Sequence, residues 1–245
     1  MTQMRKYILL IIISLIGFQA RSEIFLYPDE ATYKCSVHDA TIIGTETSLM
    51  CILDGESIKM DLPSGMRLKG IDSFGDGVIA IADDGYILYW DNPFDKARKV
   101  RFNIKGNFIC LDTGAEMCYI LSDSSEIISL NLALQGKVFD FNANYSEYYG
   151  TITPIAIAAG PNSTCLAVLR ENGTPTTYVS SKGTVWSERD LNYAVNGKWY
   201  TFKKVPHSVT YEELSDCFVL HCEDGDMFYL PNCSHCNYVI SATSL

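Results

Sequence analysis

The sequence predicts an all-β chain folded as a propeller-like array of about five small antiparallel sheets. Three observations predict it: short β-rich runs bounded by turn residues, acidic-Gly dipeptides between paired runs, and recurrence of that unit along the chain.

The runs are Gly77–Ala82, Tyr86–Trp90, Met117–Leu121, Glu126–Leu130, Cys165–Leu169, Cys217–His221 and Asp226–Leu230. Their length, β-branched content and flanking Gly, Asp, Asn, Ser and Pro read as strands. After the first residues, no window of a dozen residues holds apolar positions at i, i+3, i+4 and i+7, so helices are not expected. Pairs of runs are joined around Asp54-Gly55, Asp84-Gly85, Asn172-Gly173 and Asp224-Gly225, with Asp123-Ser124 in the equivalent place of the third copy. Such dipeptides supply the positive φ of a tight hairpin. Upstream lies a further strand ending in glycine, at Thr41–Gly44, Leu111–Gly114 and Pro154–Gly160. Unit starts near Asp39, Leu68, Gly106, Thr153 and Val205 follow. A small sheet cannot bury both faces alone, and radial stacking solves that while protecting the edges.

Arg5 and Lys6 precede an apolar run from Tyr7 to Phe18, the pattern of a cleavable export signal. Ala20 and Ser22 put small residues at the two positions a signal peptidase reads. Residues 1–22 are therefore read as signal and 23–245 as one propeller-like domain. The run is shorter than the about 20 apolar residues that span a bilayer, and no later stretch is long enough. The tail carries no lipid-anchor signal. The mature protein is expected to be secreted, with no membrane span.

Loss of Arg5, Lys6 and Arg21 lowers 19 basic residues to 16 against 29 acidic, a mature net charge of −13 with histidines neutral. A chain of this charge repels phosphate backbones, and no basic patch offsets it, so nucleic acid is excluded as a partner.

All nine cysteines (Cys35, Cys51, Cys110, Cys118, Cys165, Cys217, Cys222, Cys233, Cys236) follow the signal. In an oxidising compartment one to three disulfides are expected, although many of these thiols sit in apolar runs as small hydrophobes. The densest group is Cys217, Cys222, Cys233 and Cys236, with His221 and His235 interleaved. It is read first as disulfides, with Cys233 and Cys236 oxidised; zinc and a thioredoxin-like redox pair are the competing readings.

Ile152–Gly160 followed by Cys165–Gly173 resembles the blade repeat of RCC1-like (regulator of chromosome condensation) β-propellers, in which a strand ending in Ala-Gly leads to a strand and an acidic-Gly turn. Leu111–Gly114 through Asp123 resembles it as well, and Gly75–Gly85 more loosely; about four of the five units are covered. Extracellular members of the crinkly-receptor type imply a protein-binding or ligand-binding role. Val179–Trp186 resembles the Asp-box turn of sialidase-like propellers, with Gly183 and Trp186 in place and Ser181 where aspartate stands; in those proteins the box is structural.

No catalytic constellation is legible. Sialidase chemistry needs an arginine cluster, and Arg67, Arg98, Arg101, Arg170 and Arg189 are scattered. His38, His207, His221 and His235 have no triad partners, and Gly-x-Ser-x-Gly is absent. Asp72, Asp76, Asp83 and Asp84 read as turn residues before they read as a calcium site. No cofactor and no metal are expected. Asn144, Asn162 and Asn232 fit the glycosylation sequon; Asn172-Gly-Thr174 fits too but precedes Pro175. Tyr145, Tyr148, Tyr149, Trp199 and Tyr200 lie in the two longest interruptions of the repeat. They read as binding anchors for a protein or glycan, or as caps on the core. The expected function is thus a secreted, non-enzymatic propeller-like binding module. The alternatives are a degenerate glycosidase-like propeller, with two carboxylates facing each other in a pocket, and a zinc- or disulfide-stabilised receptor ectodomain fragment. Intact-mass analysis of the exported protein is expected to give a chain beginning at Glu23; an unprocessed Met1 start would overturn the signal reading.

Overall fold

The computed structural model describes residues 31–181, 183–189, 191–195, 198–232 and 240–241. The expected signal segment, Cys233, Cys236 and His235 lie outside the described residues. Five four-stranded antiparallel sheets follow one another, each with its strands in sequence order. Blade 1 holds β1 (Tyr33–Val37), β2 (Ala40–Thr45), β3 (Ser48–Leu53) and β4 (Glu56–Lys59). Blade 2 holds β5 (Leu68–Phe74), β6 (Gly77–Ala82), β7 (Tyr86–Trp90) and β8 (Arg98–Arg101). Blade 3 holds β9 (Phe108–Thr113), β10 (Met117–Ser122), β11 (Glu126–Asn131) and β12 (Gly136–Asp140). Helix α1 (Phe141–Tyr149) then leads to blade 4, with β13 (Ile152–Ala159), β14 (Thr164–Arg170), β15 (Pro175–Ser180) and β16 (Ser187–Arg189). The hairpin β17 (Asn192–Val195) and β18 (Lys198–Thr201) precedes blade 5, with β19 (Pro206–Glu212), β20 (Cys217–Cys222), β21 (Met227–Pro231) and β22 (Ile240–Ser241).

First strands pack side by side: β1 on β5, β5 on β9, β9 on β13 and β13 on β19. Among the described residues no comparable packing joins β19 back to β1. Each of the four seams has its own apolar cluster. Ile42, Leu49, Val78, Ala80 and Trp90 fill the seam of blades 1 and 2, and Ile79, Ile81, Ile120 and Leu130 that of blades 2 and 3. Leu121, Leu166 and Tyr178 fill the third, and Ala158, Phe218, Leu220 and Phe228 the fourth. Strand β6 is buried at every residue because its alternate side chains enter two different seams. The indole N–H of Trp90 donates to the Asp61 carbonyl at 3.1 Å, so the largest buried ring keeps its polar atom satisfied.

Blades 2 to 5 share an irregularity that blade 1 lacks. Pairing between first and second strands skips one residue of the first strand, at Lys69, Ile109, Ile155 and His207. One extra residue kinks and twists a strand, and Pro154 and Pro206 occupy positions beside the bulge, where a missing N–H is tolerated. The recurrence is a structural signature of the repeat.

Blade 1 begins at Tyr33 rather than near Asp39. The expected start takes Asp54-Gly55 as the counterpart of the later acidic-Gly turns. Asp84-Gly85, Asn172-Gly173 and Asp224-Gly225 all join second strands to third, whereas Asp54-Gly55 joins β3 to β4. Asp54 and Gly55, at φ of 52° and 80°, form a tight turn all the same, so the local chemistry is right and the phase of the repeat is one strand off. In the third blade Ser125, at φ 67°, takes the left-handed position without a glycine.

Among the described residues no disulfide joins the seven cysteines. Cys217 and Cys222 end the same strand, about 16 Å apart at about 3.3 Å per residue. A disulfide needs α-carbons within roughly 7 Å, and a single zinc ion cannot reach both thiols either. Burial pushes Cys35 and Cys110 up to about 12, and Cys118 and Cys165 well above the usual thiol value. Only the thiolate is nucleophilic. Cys118 and Cys165, both fully buried, are therefore expected to escape iodoacetamide in the native protein at pH 8 and to react after denaturation. Equal labelling in both states, read by mass spectrometry, would contradict this packing.

Candidate functional site

In an up-and-down sheet the turns alternate between two ends, so every link from a fourth strand to the next blade leaves from the same end. Both tyrosine-rich interruptions, α1 and the β17–β18 hairpin, are such links and share one rim of the array. The first is a helix and not an irregular loop. Asp140 caps it by accepting from the Ala143 N–H at 2.9 Å, and Gly150, at φ 74°, ends it.

Phe141, Tyr145 and Tyr149 recur every four residues and form the inward stripe of α1, packed with Tyr178 and Trp186 in the seam of blades 3 and 4. The Tyr145 hydroxyl accepts from the Trp186 N–H at 3.0 Å. Tyr145 and Tyr149 thus cap the core, while Tyr148 is 78% exposed on the opposite side of the helix. In the hairpin, Tyr200 stands opposite Tyr193 and is 46% exposed. Trp199 pairs with Ala194 through its backbone, and its side chain lies outside the described residues. The hairpin is tied down by the Phe202 N–H, which donates to the Leu191 carbonyl at 2.7 Å; both side chains are buried in the seam of blades 4 and 5.

At the other end lies a cleft of about 460 Å³ between the first strands of blades 2 to 5, lined by Asp72, Asp112, Thr113, Tyr211 and Glu213 among others. The Asp72 and Asp112 carboxyl groups are hydrogen-bonded to each other. Asp72 also accepts from the Ser73 N–H at 2.7 Å and the Thr113 hydroxyl at 2.8 Å, and Asp112 accepts from the Ala159 N–H at 2.6 Å. Burial pushes Asp112 up to about 7 and raises Asp72 as well, against the hydrogen bond from Thr113. Sequence reading places Asp72 among turn residues and passes over Asp112. The available signal was an acid-hydroxyl dipeptide, Asp72-Ser73 and Asp112-Thr113, repeated on adjacent first strands.

The other expected positions separate. Asp76 pairs with His38 at 3.5 Å on an exposed turn, and Asp83 pairs with Lys69 at 3.5 Å at the opposite end of the blade. The four aspartates therefore do not converge, and among the described residues no group of three or more acidic, His or Cys side chains is placed to hold a metal. Asn162 is exposed on the β13–β14 turn. Asn144 is exposed but donates to the Asp140 carbonyl at 2.6 Å, and half-buried Asn232 is held by Ser163 and Asp216. In Val179–Trp186, Gly183 takes φ 68° and the Trp186 indole N–H donates back to its carbonyl at 3.2 Å, which buries the ring. That turn is structural here.

No family description and no curated protein matches the chain. Solved structures do. Human WBSCR16 matches at TM-score 0.56 and 10% identity over 83% of this chain. YCF48 from Cyanidioschyzon merolae matches at 0.62 and 11% over 88%. Yeast RCC1 (Prp20), in its complex with Kap60, matches at 0.54 and 11% over 82%. This chain spans 62%, 73% and 56% of those chains, respectively. The similarity shows the β-propeller fold; it does not single out the RCC1-like or crinkly-receptor type.

The two tyrosines on opposite sides of α1 separate packing from display. Tyr145→Ala is expected to destabilise the protein by about 2–3 kcal/mol through a lost ring and a lost acceptor. Tyr148→Ala is expected to stay within about 0.5 kcal/mol of wild type. Urea unfolding of both variants checks the pair, and equal losses would place Tyr148 in the core.

Proposed function

We propose that the protein is an exported, non-enzymatic β-propeller that holds a protein partner on the rim formed by α1 and the β17–β18 hairpin. The observation that carries this reading is the display of Tyr148. Its helix is locked by Phe141, Tyr145 and Tyr149, so a 78% exposed ring stands on a rigid base. Exposed aromatics on rigid elements lose little conformational freedom on binding, which is why such rings recur as anchors. Tyr200 adds a second exposed ring on the same rim. Among the structural neighbours, one structure is of YCF48 bound to D1 peptide and another of Kap60 bound to yeast RCC1, so propellers of similar fold engage peptide and protein partners. Export rests on Arg5, Lys6 and the apolar run from Tyr7 to Phe18. Oxidation of Cys233 and Cys236 and a glycan on Asn162 belong to the same reading.

A carbohydrate-active enzyme is the second reading, because Asp72 and Asp112 do face each other in a cleft. Glycosidase carboxyl groups stand about 5 Å or more apart to admit a sugar or a water. Here the two are hydrogen-bonded to each other and held by Thr113 and Ala159. That arrangement differs from the spaced carboxyl pair of a glycosidase.

Affinity capture with the mature protein, followed by titration of the captured partner against Tyr148→Ala and Tyr200→Ala, tests the rim. At least one variant is expected to lose tenfold or more in affinity, about 1.4 kcal/mol, with its melting temperature unchanged. Full-strength binding by both folded variants would move the site elsewhere.

A further inference from the structure

Asp72 and Asp112 sit at matching places on the first strands of neighbouring blades, forty residues apart in sequence. Their bonds tie three blades together at the cleft. The Thr113 hydroxyl of blade 3 shares its proton between the Ser73 carbonyl at 2.6 Å and Asp72 at 2.8 Å, both of blade 2, and the Ala159 N–H of blade 4 donates to Asp112 of blade 3. The carboxyl groups also bond to each other. Two carboxylates are acceptors only, so that last bond exists only while one proton remains on the pair.

The surroundings offer nothing to replace that proton. Strand β1 contributes the Cys35 thiol, β9 the Cys110 thiol and β10 the Cys118 thiol, all kept neutral by burial. Strands β6 and β13 carry no titratable side chain. From β19 comes the Tyr211 phenol, pushed up to about 12 by its hydrogen bond to Asp216, and beyond β19 the Glu213 carboxyl. Among the described residues no lysine, arginine or histidine lines the cleft. When both aspartates ionise, two half-buried negative charges face each other across the seam of blades 2 and 3, with no cationic side chain among the described residues lining the cleft.

We propose that the Asp72–Asp112 pair is a proton-operated clasp, closed across the blade 2–3 seam by one shared proton and loosened when that proton leaves. It lies at the end of the array opposite the tyrosine rim and does not depend on what that rim binds. Asp112 titrates at about 7 in the folded chain against 3.8 for an ordinary aspartate, so the folded state holds more protons than the unfolded state between those values. Stability therefore falls as pH rises from about 4 to about 7 and stays low above that range. The clasp is closed in a mildly acidic compartment and open in a mildly alkaline one.

Thermal unfolding of the mature protein from pH 5 to 8.5, compared with Asp112→Asn, tests the clasp. Asparagine keeps an acceptor for the Ala159 N–H and supplies a donor to Asp72 without a proton to lose. Wild type is expected to lose about 5 °C or more in Tm across this range beyond any loss in the variant. A ¹³C carboxyl titration of wild type runs alongside and does not depend on the variant folding. One aspartate carboxyl is expected to titrate near neutral pH, and that step is expected to move down in Asp72→Asn, which removes the neighbouring like charge and leaves the burial in place. If every aspartate of wild type titrates below pH 5, or if wild type and Asp112→Asn lose Tm in parallel, the clasp is refuted.

Discussion

A four-stranded sheet of short strands has two apolar faces and no means of covering either, and every other feature of this chain answers to that constraint. The answer is the seam. Val78, Ala80 and Ala82 of β6 pack towards blade 1 while Ile79 and Ile81 of the same strand pack towards blade 3, so one strand of six residues serves two cores. Two alanines and a valine lie on one side and two isoleucines on the other, which sets how closely each neighbour approaches. The outer strands meet water instead. Arg98, Lys99 and Arg101 of β8 put cations along an exposed edge and lay them over Tyr86 and Tyr89, which discourages pairing with another sheet.

Several polar groups that enter the seams do so in company, although the buried hydroxyls of Thr164, Thr177 and Tyr178 make no hydrogen bond among the described residues. Trp90, Tyr89 and Tyr33 each direct a donor to a backbone carbonyl of a different strand or loop. The Asp72–Asp112 pair is the costliest case, because its satisfaction depends on a proton as well as on geometry. The tyrosines of α1 show the opposite arrangement, in which a stripe of rings is spent on fixing a helix so that one ring can face solvent.

The strands were legible because period-2 alternation and turn residues are local, and the runs at Gly77–Ala82, Cys165–Leu169 and Cys217–His221 all lie within strands of the molecule. What failed needed information from beyond the window. Helix α1 spans nine residues, too short for a full i, i+3, i+4, i+7 pattern over a dozen, and its signal is the spacing of Phe141, Tyr145 and Tyr149 together with Asp140 in capping position. Blade 1 was placed out of phase because an Asp-Gly turn says that a hairpin is present, not which hairpin of the repeat it is. The carboxyl pair was illegible as a pair, since only the stacking of blades brings residue 72 to residue 112. The tyrosine segments were recognised as interruptions, but composition alone could not say that Tyr145 and Tyr149 turn inward and Tyr148 outward.

Among the described residues four seams join the five blades in sequence order, and no packing of comparable extent joins the first strand of blade 5 to that of blade 1. In a closed ring every unit is clamped from both sides, and loosening one loads all the others. In a line, the energy is close to a sum over nearest neighbours, and the two terminal units are each supported from one side. Among the described residues blades 2, 3 and 4 are each packed on both sides by a neighbouring first strand, and blades 1 and 5 each on one. Blade 1 is also the one whose first strand lacks the bulge shared by the other four. The difference in backbone geometry thus coincides with a difference in packing among the described residues.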